Sequence, residues 1–219
     1  MKNSMIVIIA TFLTIAFIIF LFLNLIFRKQ EPKRKIAVFG GSFNPLHIGH
    51  QTIIKDLSEN YDWVYLVVTP KNPLKETVSE DTVDDRMNKA YNALTRHGLW
   101  NVTVSEIEKE MMPPYYTINT LDEFRRRNSN ADFTLVIGAD NLRQMREWKD
   151  YKRILSEYGV LVFPRGKDDV TVLEDLKTNF LHENSAYKID ISRTIVPNIS
   201  STEIRQSIFE GNNVDNLLM

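Results

Sequence analysis

The chain has 219 residues, 43% hydrophobic and 25% charged, with a formal net charge of −1 and no cysteine. That length suits one domain, or one domain with an appendage. The balance excludes a collagen-like chain, a disulfide scaffold, a disordered chain and a strongly basic nucleic-acid binder, so no nucleic-acid partner is expected.

The first predicted element is a run of 23 uncharged residues, 5–27, in which only Thr11, Thr14 and Asn24 are not apolar. At about 1.5 Å per residue such a helix reaches about 34 Å, enough for a ~30 Å hydrocarbon core. A signal peptide would carry an apolar region of about 7–15 residues and then a small-residue cleavage site. Here Arg28, Lys29 and Gln30 follow instead. The run is therefore expected to be a transmembrane helix in a lipid bilayer, followed by a basic linker over residues 28–34. Only Lys2 precedes the run, whereas Arg28, Lys29, Lys33, Arg34 and Lys35 follow it. This asymmetry predicts a single-pass anchor with the C-terminal domain, residues 35–219, in the cytoplasm.

Short β-branched or aromatic runs then alternate with longer amphipathic ones. Strands are expected at residues 35–39, 63–69, 102–107, 133–137, 159–163 and 187–191. Helices are expected from 48 to about 59, and at 81–96, 117–127, 151–158, 170–181 and 201–209. Alternation of this kind implies an α/β fold, a Rossmann-like parallel sheet covered on both faces. Ligands bind such sheets at the carboxyl ends of the strands. Chemistry is expected just after residues 39, 69, 107, 137, 163 and 191.

Residues 40–50, GGSFNPLHIGH, directly follow the first strand. Gly40 and Gly41 permit close approach of a ligand to the backbone. The next helix begins here, and a helix N-terminus with free N–H groups is an anion site. His47 and His50 are three apart and share a helix face. Two imidazoles beside backbone donors suit a polyphosphate. A zinc pair is less favoured, because His97 and His182 supply no third ligand nearby in sequence. Residues 199–205, ISSTEIR, open the last helix. Ser200 and Ser201 suit an N-cap, while Ser201, Thr202 and Arg205 suit phosphate.

The first of these stretches resembles the HxGH signature of the nucleotidyltransferase superfamily, and the second its ISSTxIR motif. The KMSKS loop of the related synthetases is absent. Further stretches resemble bacterial nicotinate-nucleotide adenylyltransferases: NPLK at 72–75 with Arg86, YYTINTL at 115–121, GADNL at 138–142 with Trp148, and PRG at 164–166. Asn44 stands where many members have aspartate. The resemblance implies adenylyl transfer from ATP to nicotinate mononucleotide, giving nicotinate adenine dinucleotide and pyrophosphate. It implies His47, His50 and Arg205 as catalytic groups, with His50 on the α-phosphate and His47 on the leaving phosphates. ATP contacts would come from Gly40, Gly41, Ser42, Phe43, Gly138, Asp140, Ser201 and Thr202. Mononucleotide contacts would come from Asn44, Lys75, Arg86, Tyr116, Thr117 and Trp148, the last stacking on the pyridine ring. Mg²⁺ would be held mainly by ATP phosphates, with no protein metal site. Nicotinamide mononucleotide or phosphopantetheine as acceptor, or a tethered nucleotide-binding module without turnover, are the alternatives on the same scaffold. The oligomeric state has no signature in the sequence.

Overall fold

The computed structural model describes residues 11–22, 32–70, 82–166 and 168–219. The chain divides into two compact units, Met1–Lys33 and Arg34–Met219. In the first unit, residues 11–22 form a helix, α1, with every residue exposed. Residues 5–10 and 23–27 of the expected transmembrane run lie outside the described residues. Among the described residues no helix is long and apolar enough to cross a membrane.

The second unit alternates strand and helix as β1 (Arg34–Gly41), α2 (Ile48–Asn60), β2 (Trp63–Val68), α3 (Val83–Arg96) and β3 (Val102–Ser105). It continues through α4 (Thr117–Arg127), β4 (Ala131–Gly138), α5 (Ala139–Arg143) and α6 (Tyr151–Arg153). The chain ends with β5 (Val160–Phe163), α7 (Val170–Glu183), β6 (Ile189–Ile191) and α8 (Ser201–Phe209). All six strands pair in parallel, in the order β3-β2-β1-β4-β5-β6. The expected α/β, Rossmann-like parallel sheet is therefore present. Strand order reverses between β1 and β4, and a doubly wound sheet opens its ligand crevice at such a switch point.

Side-chain alternation along β1 divides the core. Ile36 and Val38 pack on one face with Ile118, Leu121 and Phe124 of α4. Ala37 and Phe39 pack on the other with Ile53, Ile54 and Leu57 of α2 and Ala90 and Leu94 of α3. Burying a side chain such as Leu57 or Leu121 contributes roughly 1.5–3 kcal/mol. The helices start where local chemistry directs. Thr82 and Asp85 form a capping box on α3, as Ser200 and Glu203 do on α8.

Two expectations change, and one short element is added. Residues 102–107 are not one strand, because β3 stops at Ser105 and a 3₁₀ turn, Ile107–Lys109, follows. Residues 151–158 are not one α-helix. One turn at α6 passes into a π-helical turn, Ile154–Tyr158, that ends at Gly159 with φ +85°. The five-residue α5 was not anticipated, being too short to show a helical period.

Candidate active site

Gly40 and Gly41 end β1, and Gly138 ends β4, at the two sides of the switch point. A Cβ at Gly40 or Gly138 would meet nothing within 4 Å, so the crevice is open above both strands. Thr69 N–H donates to the Gly41 carbonyl at 2.9 Å, continuing the β1–β2 register into the loop. Phe43 follows in the left-handed region, φ +45°, with its side chain buried. Its ring packs edge-on against both Phe39 and His50.

His47 is the N-cap of α2, and its Nδ1 accepts the Gly49 N–H at 3.1 Å. His50 Nδ1 accepts the His47 N–H at 3.3 Å. The two rings stack with centroids 3.7 Å apart. This corrects one expectation. The N–H groups of His47 and Gly49 are not free for an anion, because the imidazoles occupy them. A neutral imidazole that accepts at Nδ1 carries its proton on Nε2. At these two positions the imidazoles take the amides, and their Nε2–H groups remain as donors.

Electrostatics keep both rings neutral. Burial, then the Arg165 guanidinium, lower the His47 pKa from 6.5 to about 4, against a smaller upward pull from Glu203. Burial, then His47, then Arg165 push His50 well below the ordinary histidine range. Gly49 allows the arrangement: a Cβ there would lie 3.0 Å from the His47 ring and 3.2 Å from Ile199.

The two signature stretches meet here. Ser201 Oγ donates to the Pro45 carbonyl at 3.0 Å across 156 residues of sequence. Arg205 donates to the Asn44 carbonyl at 2.6 Å and to Thr202 Oγ1 at 3.1 Å. The start of α8 is therefore fastened to the loop that carries His47. Ser201 turns its hydroxyl proton into that loop, so its expected hydroxyl contact with phosphate is replaced by a structural bond. Its N–H and that of Thr202 belong to the first turn of α8, where no helical carbonyl is in reach.

Tyr116 and Thr117 begin α4, and Trp148 follows the 3₁₀ turn Met145–Glu147. In a parallel sheet of this kind α4 starts on the same carboxyl edge as α2. Tyr116 and Trp148 are half-buried and pack against the same core cluster. Trp148 Nε1 is buried with no hydrogen-bond partner among the described residues. Asp140 is exposed and paired with Arg143 at 3.2 Å and Arg165 at 3.7 Å.

Residues 38–207 match the family model described as cytidylyltransferase-like. A probable nicotinate-nucleotide adenylyltransferase of Flavobacterium johnsoniae is 34% identical over 186 residues, covering 84% of this chain and 91% of that protein. One from Christiangramia forsetii is 35% identical over 192 residues, with the same coverages. The chain belongs to the nicotinate-nucleotide adenylyltransferase family. Solved structures share the fold. A putative family member from Vibrio parahaemolyticus superposes with a TM-score of 0.57 at 23% identity, over 85% of this chain and 94% of that one. The Plasmodium falciparum nicotinic acid mononucleotide adenylyltransferase, complexed with NaAD, gives 0.63 at 18% identity, over 84% and 88%.

Within this family frame one expected residue moves out of the substrate set. Arg86 is 3% exposed. Its guanidinium donates to the carbonyls of Ser42 at 2.7 Å, Thr69 at 3.0 Å and Pro70 at 3.4 Å. It is a strut between the β1 and β2 loops, and the mononucleotide contact expected of it is corrected accordingly. Lys75 lies outside the described residues. Conversely, Arg165 of the PRG stretch, to which the sequence assigns no role, joins the site. Its charge reaches both histidines, which only the folded sheet reveals.

Proposed function

We infer that this chain joins ATP and nicotinate mononucleotide, releasing pyrophosphate and nicotinate adenine dinucleotide. The observation that carries this reading is the stacked, neutral His47–His50 pair at the β1–β4 crevice, in a chain of this family. A phosphate oxygen of the mononucleotide forms the new bond to the α-phosphorus of ATP. The bond from that phosphorus to the β-phosphate bridging oxygen breaks, and pyrophosphate leaves with the electron pair. The nucleophile is already an anion, so no protein nucleophile or strong base is needed. Catalysis is alignment plus stabilisation of charge on the phosphoryl oxygens.

His50 Nε2–H serves the α-phosphate and His47 Nε2–H the leaving phosphates. Gly40, Gly41, Ser42 and Phe43 line the path of the triphosphate, with the first-turn amides of Ser201 and Thr202 and the Arg205 guanidinium opposite. Gly138 and Asp140 border the nucleoside side of the crevice. Asn44, Tyr116, Thr117 and Trp148 receive the mononucleotide, the Trp148 ring facing the pyridine. Magnesium, which keeps several of its waters and needs few protein ligands, would enter with its substrate as the counter-ion on the ATP phosphates.

The test is to incubate the chain with ATP, magnesium and, in parallel, nicotinate mononucleotide, nicotinamide mononucleotide and phosphopantetheine. Dinucleotide and pyrophosphate from the nicotinate acceptor support the reading. ATP binding with no pyrophosphate from any acceptor overturns it in favour of a nucleotide-binding module.

A finer part of the reading concerns residues 5–27, which we propose as a bilayer anchor holding the catalytic domain on the cytoplasmic side. It is supported by 23 consecutive uncharged residues and the cations that follow. Helical residues 11–22, with Phe12, Phe17 and Phe22 each more than half exposed, agree with it. Deleting residues 1–28 should release the enzyme from the membrane fraction with turnover intact. A full-length chain that stays in the soluble fraction contradicts the anchor.

A further inference from the structure

Tyr116 is the N-cap of α4, yet its side chain makes no capping hydrogen bond. Backbone bonds close its first turn, Tyr116 N–H donating to the Pro114 carbonyl and Asn119 N–H to the Tyr116 carbonyl, both at 2.9 Å. Where that turn stands at the crevice edge is then set by side chains that tie α4 to its neighbours.

The candidate is Glu108, in the middle of the 3₁₀ turn that follows β3. It is 6% exposed, an unusual position for a carboxyl. Its Oε1 accepts the Thr120 hydroxyl at 2.8 Å. Its Oε2 is buried with no hydrogen-bond partner of good geometry among the described residues. Thr120 is itself 3% exposed, and its N–H donates to the Tyr116 carbonyl at 3.3 Å. A continuous path thus runs from the Glu108 carboxyl through Thr120 to the residue that opens α4. Burial raises the pKa of this carboxyl, offset in part by Thr120 and by Thr69 at the end of β2. A carboxyl that costs stability to bury, and that has only one well-formed hydrogen bond, is poor cement for a fold alone. Its position suits precision at the site.

We propose that Glu108 is a positioning residue for the acceptor half of the active site, its buried carboxyl holding Thr120 so that Tyr116 and Thr117 stand at the mononucleotide. This rests on the adenylyltransferase reading and on those two residues as acceptor contacts. Glu108 touches no substrate. It acts through the first turn of α4.

The experiment compares Glu108→Ala, Thr120→Val and Glu108→Gln with the unaltered chain, measuring KM for each substrate and kcat, with direct calorimetric binding of nicotinate mononucleotide alongside. Glu108→Ala and Thr120→Val should each raise the mononucleotide KM about tenfold, with the ATP KM within about twofold. Glu108→Gln keeps an acceptor oxygen for Thr120 and should restore most of that loss. A merely structural role would lower the active fraction and leave both KM values unmoved. An unchanged mononucleotide KM in both variants, or equal rises for the two substrates, overturns the proposal. If Glu108→Ala fails to fold, Thr120→Val carries the comparison. If the unaltered chain makes dinucleotide and only the positioning effect is missing, the inference falls alone. If it makes none, the functional reading falls and takes the inference with it.

Discussion

His50 accepts the backbone N–H of His47 through Nδ1 while its ring stacks on the His47 ring at 3.7 Å. One contact thereby fixes tautomer and orientation for the inner member of the pair. His50→Ala removes the donor and half of the cap. Turnover should fall about 10²–10³-fold, whereas losing the cap should cost only about 1 kcal/mol of stability. Steady-state kinetics beside urea denaturation separate the two effects. A variant with near-normal turnover rules out the role given to His50.

Gly49 is required by shape. A Cβ would sit 3.0 Å from the His47 ring and 3.2 Å from Ile199, so a methyl group there forces one of them to give by a few tenths of an ångström. Gly49→Ala should tilt the His47 ring off the α2 axis and lower turnover. The stability cost should be about 1–3 kcal/mol, typical of overpacking. Full activity in that variant would show that the ring is free to move.

Arg86 holds three carbonyls on two loops. Arg86→Met removes the buried donor that three part-buried carbonyls share and should cost about 1–3 kcal/mol in urea denaturation. Arg86→Lys should recover little, because an ammonium cannot reproduce the planar fork. A mild stability loss with a selective rise in mononucleotide KM would instead return Arg86 to the substrate set.

The histidine pair also sets a pH dependence of stability. The unfolded chain protonates His47 near pH 6.5, the folded chain only near 4. Between those values the unfolded state binds more protons, so stability falls as pH drops through that window. His47 contributes to that fall through the whole window, because burial and Arg165 disfavour its protonated form only in the folded chain. His47→Asn should flatten the slope between pH 6.5 and 4.5. Arg165→Gln should raise the pKa of His47, as followed by NMR titration, because it removes a positive charge acting on the ring. A wild-type slope indistinguishable from that of His47→Asn would contradict this.

Much of this fold is visible in one dimension, and the exceptions share a cause. The helix over residues 117–127 is bounded as expected, since its apolar positions recur at helical spacing. The β1 loop is equally legible, because glycines and histidines at fixed offsets carry their own geometry. Arg86 misleads, since its resemblance-based reading makes it a mononucleotide contact. Only the approach of the Ser42 and Thr69 carbonyls makes it a buried strut. Glu108 sits beside a short strand, where nothing local marks an acid as buried. Arg165 acts on the histidines through space. Each of these roles depends on contacts between distant segments, and periodicity reports only on neighbours.

The reaction assigned to the β1–β4 crevice is adenylyl transfer to nicotinate mononucleotide. Its most direct test is dinucleotide formation from ATP and each mononucleotide, measured as kcat/KM. The account predicts nicotinate adenine dinucleotide and equimolar pyrophosphate, with the nicotinate acceptor preferred and the product lost in His50→Ala. Preference for the nicotinamide acceptor, or no product at micromolar enzyme, would contradict it.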